Sequence, residues 1–363
     1  SERALSSRPV PCLADGPRVT LAALVEAGRQ ALDAGQNERA LACGDDAVRA
    51  AARHVPALSL RAGALAALGR LDDARLAWAR ALAVDPSDPD ALLGAAELHV
   101  RRLGPARDAL ETGLEYALRG ARAAAARKDR TLGARLVLVA AMAENDLGRS
   151  HLALPHAERA AAVLPDDADV AYERGVALYE LCRFDDAEKA FARALALAPE
   201  DAWSLHQLGL LAERRGDGAR AARLLARAHE LAPDDFPKDL SIDEETFRRE
   251  VHAAIAALPD DERRALAAVP VEIEDLPDDE DLTAVDPPLS PSILGLFRGP
   301  AEDEPCTAAD GPRCRSIVVY RKNLLRFAHD RQELDRQVRV TLLHELGHLH
   351  GEDEDQLRAR GLE

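Results

Sequence analysis

Long apolar runs are missing from this sequence. It contains no stretch of about eighteen apolar residues, the length that a helix needs to cross a bilayer. The first twenty residues also lack the charged-then-apolar layout of a signal peptide. We therefore expect a soluble, cytoplasmic protein with no membrane insertion. Because the chain begins at Ser1 rather than Met, an extracytoplasmic location would follow if a leader had been removed.

Positive charge is also in short supply. The chain has 47 Lys and Arg against 64 Asp and Glu, a net charge of −17. Nucleic acids and anionic membranes are bound by clustered Lys and Arg, so this balance argues against such partners. Between Asp234 and Glu304, 21 acidic residues stand against six basic ones. We interpret this stretch as a solvated acidic face or linker, or alternatively as a surface that prefers basic partners.

The five cysteines include no CxxC pair, which argues against a thiolate metal site or a redox motif of that kind. Cys306 and Cys314 bracket the segment PCTAADGPRC, which is short enough to close as a disulfide in an oxidising compartment. Whether that bridge forms is left open by the sequence. The others are expected to be mostly free thiols or small core residues: Cys12, Cys43 and Cys182.

What the sequence does contain is an internal repeat with a period of 34 residues. Small residues and Pro199 hold fixed positions in one copy, and similar residues recur 34 positions away. Two antiparallel helices pack closely where Gly or Ala faces Ala, and proline ends the second helix. This pattern resembles the tetratricopeptide repeat. Six units are predicted: Leu21–His54, Val55–Asp88, Pro89–Arg122, Ala134–Asp167, Ala168–Asp201 and Ala202–Asp235.

The third unit departs from the pattern, because Asp108 and Glu115 replace its small residues. The segment 123–133 follows it and breaks the period, which predicts an insertion or a longer helix. Repeats of this kind stack into a superhelix whose concave face grips peptides or helices, so the resemblance implies a protein or peptide partner. The alternative is that the array only caps, positions or oligomerises the C-terminal unit.

The repeat rule stops after Asp235, which predicts a domain boundary near Phe236–Asp243. The expected organisation is a tail at 1–20, a repeat array at 21–235 and a C-terminal domain at 236–363. In that domain, apolar spacing predicts helices at Glu244–Leu258 and Arg331–His350. Between them lie a segment expected to be an exposed loop, DLPDDEDLTAVDPPLSP, and three predicted strands: Val269–Ile273, Ile293–Phe297 and Ile317–Tyr320.

The second of these helices carries the sequence HELGHLHGEDE. His344 and His348 are one helical turn apart, so their imidazoles can take neighbouring corners of a zinc tetrahedron. Glu345 is offset from both, which suits a group that reaches a metal-bound water. Gly351 can supply the left-handed turn that ends the helix. Glu354 then holds the third ligand position of the extended pattern HExxHxxGxxE.

Other residues near the motif leave alternatives open. Glu352, Asp353 and Asp355 compete with Glu354 for the third ligand position. His350 follows His348 by two residues and points away from the pair while the helix continues. We consider it either a substrate or outer-shell contact, or an ordinary solvent-facing histidine.

The last third of the chain resembles a known family. The segments FRREVHAAIAALP, VPVEIEDLP, ILGLFRG, IVVYRKNLLRFA and VRVTLLHELGHLHGEDEDQLRARGLE follow the order of the small bacterial zincin-like metallopeptidase domain, often called a minimal zincin. The resemblance covers roughly Asp243 to Glu363. It implies a small α+β domain with a three- or four-stranded sheet against the HExxH helix, and a metal at His344, His348 and Glu354.

The function that this resemblance and the motif indicate is zinc-dependent peptide hydrolysis. A metal-activated water would attack the scissile carbonyl, with Zn²⁺ as cofactor and Glu345 as general base. Tyr320 and His350 are candidates for stabilising the oxyanion. By analogy with larger zincins, strand Ile317–Tyr320 could pair with an extended peptide. The alternative is a non-catalytic scaffold in which the repeats bind partners and the metal site is structural or vestigial.

Overall fold

The computed structural model describes residues 20–306 and 314–362. The predicted tail at 1–20 therefore lies outside the described residues, apart from Thr20, which caps the first helix. The chain divides between Leu178 and Tyr179 into two compact units. Within the described ranges, no helix is long and apolar enough to cross a membrane.

The first unit is built from helix pairs that follow the predicted repeats. One further helix, α9 at Ala168–Glu180, runs across the division between the units. The eight helices before it are α1 Leu21–Asp33, α2 Asn37–Ala50, α3 Val55–Ala67, α4 Leu71–Val84, α5 Pro89–Arg101, α6 Arg107–Ala126, α7 Arg130–Asp146 and α8 Ser150–Ala161.

Small residues allow the close packing that the repeat pattern predicts. Ala74 and Ala81 of α4 are fully buried. A Cβ atom added to Gly94 of α5 would lie 2.2 Å from the ring of Trp78, so the glycine makes room for the largest side chain of the preceding helix. The prediction of an all-α repeat region is confirmed. The break in the period comes from α6, which is 20 residues long, rather than from an inserted loop.

The second unit contains the last repeats and an α+β part. Its elements are α10 Phe184–Leu197, α11 Ala202–Arg214, α12 Gly218–Leu231, α13 Glu244–Ala256, α14 Asp260–Ala267, β1 Val271–Glu274, α15 Asp279–Leu282, β2 Gly295–Arg298, β3 Ser316–Tyr320, α16 Arg321–Phe327, α17 Arg331–Leu349 and α18 Glu354–Ala359. α14 and α16 were not predicted. The segment expected to be an exposed loop contains α15, where Leu282 is fully buried.

The three strands form one mixed sheet in the order β1-β3-β2. β1 runs parallel to β3, and β2 runs antiparallel to it. Helices α13 and α17 pack on this sheet, so that Phe247, Val338 and Leu342 share a core with Ile317 and Val319. The predicted small α+β domain with a three-stranded sheet is therefore confirmed, and α17 lies against the sheet as the HExxH helix.

Ion pairs within the second unit join its last repeat to the α+β part. Glu213 of α11 lies 3.2 Å from Lys322 Nζ and also pairs with Arg326, both on α16. The compact units divide at Leu178, and not near 236–243, where the sequence predicts a boundary. That boundary, between the repeat array and the C-terminal domain, stays a prediction.

The sequence left the Cys306–Cys314 bridge open and predicted that the other cysteines are mostly free thiols or core residues. Cys12 lies outside the described residues. Cys306 and Cys314 are joined by a disulfide, with their Cα atoms 5.7 Å apart, and Cys182 is a free thiol. Cys43, expected to be a thiol or core residue, is fully buried but is disulfide-bonded. Its spacing from the other cysteines gave no sign of this.

Candidate metal centre

The end of α17 is shaped so that the chain turns back toward its own helix. Gly351 has a φ of +80°, the left-handed conformation predicted for it. The Glu352 N–H then donates to the carbonyl of Gly347 at 2.9 Å, which closes the paired hydrogen-bond pattern of a glycine-ended helix. Asp353, two residues after Gly351, caps α18, and Glu354 is the first residue of that helix.

Side chains from α17 and α18 converge beyond this turn. His344 Nε2 and His348 Nε2 lie 3.1 Å apart. Glu354 Oε1 lies 3.4 Å from His348 Nε2 and 3.8 Å from His344 Nε2. These three residues form a group whose ligand atoms could hold one metal ion, the His-His-Glu cluster.

The other ring nitrogen of each histidine faces a backbone carbonyl. His344 Nδ1 lies 2.7 Å from the Leu362 oxygen, and His348 Nδ1 lies 3.1 Å from the Glu352 oxygen. Since a carbonyl can only accept, each Nδ1 must donate its proton there. In the neutral form of both rings, the Nε2 atoms carry lone pairs that point at each other and at a carboxylate. A cation between these three atoms would stabilise an arrangement that is otherwise repulsive.

The dimensions of the cluster suit zinc. Zn–N distances of 2.0–2.1 Å in a tetrahedron place two ligand nitrogens about 3.3 Å apart. The separations of 3.1, 3.4 and 3.8 Å bracket that value. Two imidazoles and one carboxylate are also a donor set that zinc accepts, with a fourth position left for water or substrate. The residues present therefore fit the ion that the motif implies.

The structure separates Glu354 from its competitors. Glu352 pairs with Arg360. Asp353 accepts the Gln356 N–H as the cap of α18, and Asp355 pairs with Arg358 at 2.7 Å. Each competitor is occupied elsewhere, so Glu354 is the carboxylate that faces the histidine pair.

Glu345 lies beside the cluster but is much less accessible, with 6% of its surface exposed. Burial raises the pKa of its carboxyl to about 7, while the charge of His344 and a hydrogen bond from the Phe297 backbone N–H act in the opposite direction. A carboxyl group with a pKa near neutrality can both take up and release a proton at physiological pH.

Strand β2 forms the wall opposite Glu345. A Cβ atom added to Gly295 would lie 2.5 Å from Thr341 Cγ2, 3.0 Å from the Val318 oxygen and 3.2 Å from Glu345 Cγ. Only a residue without a side chain lets the strand approach α17 this closely. The Phe297 N–H reaches the Glu345 carboxylate from the same strand.

A cavity of about 260 Å³ opens between α17 and β2. Its ionisable lining comes from the His-His-Glu cluster and Glu345, and the rest of its lining comes from β2, the segment before β2, α17 and Leu362. The cavity therefore brings the candidate base and the candidate ligands to one accessible space.

Two oxyanion candidates from the sequence do not line this cavity. Tyr320 is fully buried, and its hydroxyl donates to Asp281 at 3.1 Å. His350 pairs with Glu302 at 3.1 Å, outside the cavity. The expectation that strand Ile317–Tyr320 pairs with a peptide was also wrong, because β3 is the central strand and both of its edges are already paired.

Several residues that shape the site were missed by sequence reasoning. Leu362 contributes a backbone carbonyl, for which no side-chain pattern exists. Gly295 and Gly347 did carry a signal, since glycine inside a strand or helix marks a close approach. A Cβ atom on Gly347 would lie 2.3 Å from Leu357 Cδ2, so this glycine of HELGH admits α18 onto α17.

The fold and the cluster define a chain of helical repeats followed by a small α+β domain with a His-His-Glu group. Comparison with protein families agrees with this description: residues 266–362 match the model of the zincin-like metallopeptidases, and residues 25–91 and 168–201 match models of the tetratricopeptide repeat. The family and the domain order indicated by the sequence are thus confirmed.

Solved structures resemble the chain in fold alone. PilW, described as a widely conserved type IV pilus biogenesis factor, is 17% identical over 59% of this chain and 94% of its own, with a TM-score of 0.51. The pilF protein of Pseudomonas aeruginosa is 17% identical over 59% of this chain and 92% of its own, with a TM-score of 0.50. A comparison with curated proteins gives no match.

Proposed function

We propose that the C-terminal domain is a zinc-dependent peptidase in which His344, His348 and Glu354 hold the ion. The observation that carries this proposal is the orientation of the two histidines. Their Nδ1 atoms are engaged by carbonyls and their Nε2 atoms meet at 3.1 Å beside Glu354. The match to the zincin-like metallopeptidase model supports the same reading.

Zinc, when bound, supplies Lewis-acid polarisation of a carbonyl and makes water acidic enough to react near neutral pH. Glu345 takes the proton of the attacking water and returns it to the leaving amine. A pKa of about 7 suits both halves of that task. The Phe297 N–H fixes the direction of the carboxylate while it is charged.

The outer side of β2, an edge strand of the sheet in the described ranges, positions the substrate. Successive residues of an antiparallel edge strand direct their backbone groups alternately to the neighbouring strand and outward. Phe297 directs its N–H to Glu345, so Gly295, two residues earlier, presents its backbone groups on the same side. An extended peptide would pair with this edge and pass across the cavity.

The test of this proposal is Glu345→Gln. The amide is nearly the same size but cannot accept a proton, so we expect one zinc ion per chain to be retained. Cleavage of a peptide library should fall by about 10²-fold or more. Glu333→Gln, on the same helix and away from the cavity, serves as the matched control. Cleavage by Glu345→Gln at the rate of the unchanged protein would sink the proposal.

A second candidate function is a binding scaffold with a structural metal site. It is favoured by one observation, that neither Tyr320 nor His350 lines the cavity as an oxyanion donor. In that case, removing zinc with a chelator would lower the thermal midpoint of the C-terminal domain, because binding energy of a structural ion is folding energy. Partner capture by the repeats would then persist in His344→Ala.

The repeats would serve either function by binding a protein or peptide. In the first unit, a groove of about 570 Å³ is lined mainly by residues of α3, α5 and α7, among them Arg101 and Arg135, together with Trp78 of α4. It also contains Asp169, which pairs with Arg101 at 2.9 Å. Such a mixture of apolar and charged groups suits an extended segment, and we propose that it recruits substrates or partners.

We also propose an extracytoplasmic location for the protein. The Cys306–Cys314 bond and the disulfide at Cys43 favour an oxidising compartment, since such bonds are rare in the cytosol. They support an extracytoplasmic location over the cytoplasmic one expected from the sequence.

A further inference from the structure

The cavity beside the His-His-Glu cluster extends along α17 in one direction. On that helix, Val340 lies one turn before His344, and Gln337 lies about two turns before it; both line the cavity. With a rise of 1.5 Å per residue, Gln337 is about 10 Å from His344 along the helix axis. The cavity therefore has a metal-facing end and an end that leads away from the metal.

Apolar side chains make up most of the lining away from the metal-facing end, where Gln337 is an uncharged polar neighbour. Leu289, Ile293, Leu294 and Leu296 come from β2 and the segment before it, and Val340 faces them from α17. Leu362, whose carbonyl lies beside His344, is a further apolar residue of the cavity lining. Such walls favour an apolar group, because its transfer from water is favourable roughly in proportion to the area buried.

Charge reinforces this preference. The ionisable side chains that line the cavity are His344, Glu345, His348 and Glu354, all at the metal-facing end. Every other described residue of the lining is uncharged. An acidic side chain would find no cationic partner here and would lie near two carboxylates, and a basic one would lose its hydration without a carboxylate at the far end.

Size limits the occupant to a single side chain. The cavity of about 260 Å³ is smaller than the 300–1,000 Å³ typical of sites for drug-sized ligands. The backbone of a peptide on the edge of β2 would stay outside it, and only one side chain next to the reacting carbonyl would enter.

We propose that this cavity is a specificity pocket, which selects peptides with a bulky apolar residue next to the bond to be cleaved. The inference rests on the proposed peptidase function. Val340 and Gln337 are the positions that set the preference, because both face the pocket and neither belongs to the His-His-Glu cluster.

The experiment measures binding of two metal-chelating probes, the hydroxamates of N-acetyl-leucine and N-acetyl-aspartate, to the full chain loaded with one zinc ion. The expected result is that the leucine probe binds at least about tenfold tighter. Val340→Lys and Gln337→Lys add a cation to the pocket and should reduce or reverse this ratio. Gln337→Lys replaces a half-buried polar residue, so it remains informative if Val340→Lys does not fold.

Val285→Lys is the matched control, since Val285 is 51% exposed and lies outside the cavity lining. It should leave the ratio unchanged. Equal affinity for the two probes, no response to either lysine, or no binding of either probe would overturn the inference. Cleavage of a peptide library is measured in parallel. Correct probe ranking without cleavage would refute the peptidase and keep the pocket, whereas cleavage with no apolar preference would refute the pocket alone.

Discussion

At the scale of single residues, glycines decide how closely the walls of the site approach each other. Gly295 brings β2 against Thr341 and Glu345, and Gly347 brings α18 against α17. Neither residue carries a functional group. Their contribution is the space they leave for neighbouring elements. Gly295 lets β2 bring the Phe297 N–H to Glu345, and Gly347 lets α18 pack so that the Leu362 carbonyl lies beside His344.

The first prediction concerns Gly295→Ala. The added methyl group would meet Thr341 Cγ2 and the Val318 oxygen at 2.5 and 3.0 Å, and neither a β-branched side chain on a helix nor a paired strand can move easily. We expect the free energy of unfolding of the second unit to fall by about 1–3 kcal/mol. Peptide cleavage should fall as well, because β2 would withdraw from Glu345.

Urea unfolding and a cleavage assay check this expectation. Gly218→Ala is the control, because a Cβ atom there meets nothing within 4 Å and the residue begins helix α12. That variant should be neutral or slightly stabilised. If the two variants unfolded at the same urea concentration, the close approach of β2 would not matter for stability.

Sequence reasoning identified the side chains of the site better than its backbone groups. His344, His348, Glu345 and Glu354 follow from spacing on a helix and from a glycine turn, which are local properties. Every residue has a backbone carbonyl and all but proline have an N–H, so the sequence does not mark the Leu362 carbonyl or the Phe297 N–H. Only the folded chain shows that these two groups lie at the site. The roles of the four side chains stay proposals.

At the scale of elements, α18 acts as the second half of the cluster. It supplies Glu354 from its first turn, and Leu357 packs into the space over Gly347. The Leu362 N–H donates to the Leu357 carbonyl at 3.1 Å, which holds the Leu362 carbonyl near His344. The position of α18 therefore sets two of the contacts that orient the cluster.

The second prediction is that Leu357→Ala weakens zinc binding. Leu357 is fully buried, so its truncation should cost about 2–5 kcal/mol of stability. Loss of the packing that holds Leu362 and Glu354 should also reduce zinc affinity by about 10–100-fold, the usual effect of removing an outer-shell contact. Competition with a chromophoric chelator measures the affinity.

Leu266→Ala separates these two effects. Leu266 is 3% exposed and belongs to α14, in the same domain core but away from the cluster. We expect a comparable loss of stability with unchanged zinc affinity, measured well below the unfolding temperature. Equal loss of zinc affinity in both variants would mean that α18 has no particular role.

The elements themselves were predictable to different degrees. The six predicted repeat units correspond to helix pairs, because each unit is specified by small residues and turns within 34 positions. The sequence also predicted the positions of the three strands, but it did not predict their order in the sheet. Strand order depends on pairing across long stretches of chain, so nothing in the run Ile317–Tyr320 indicates that β3 lies in the centre and β2 at the edge.

At the scale of the whole molecule, the repeat units contain a buried acid that links stability to pH. Glu173 of α9 is 8% exposed, and burial raises the pKa of its carboxyl to about 7. The Asn145 side chain donates to it at 2.9 Å, and Ser150 in turn donates to Asn145 at 3.1 Å. The group is therefore held in a polar network inside the first unit.

The third prediction follows from this pKa. Glu173 binds its proton more tightly in the folded than in the unfolded state, so its stabilising effect is complete below about pH 4.5 and is lost as the pH rises through about 7. The first unit should lose up to about 3 kcal/mol over that range. Glu173→Gln, which keeps a hydrogen-bonding oxygen but cannot ionise, should remove this slope.

Thermal midpoints measured from pH 4 to pH 8 test the prediction. The control is Glu158→Gln, an exposed glutamate of α8 in the same unit, whose slope should match that of the unchanged protein. An identical slope in Glu173→Gln would show that the buried carboxyl is not the source of the pH dependence.

The residues of the His-His-Glu cluster and the strand beside it come from different parts of the chain. His344, His348, Glu354 and the Leu362 carbonyl all lie within residues 344–362, whereas the strand that contacts Glu345 lies some fifty positions earlier. Capture of the ion and reactivity can therefore be lost separately. Under the proposed function, a change confined to β2 would leave a protein that still binds zinc but no longer cleaves peptides, so a retained HExxH sequence in a relative would not by itself identify an active peptidase.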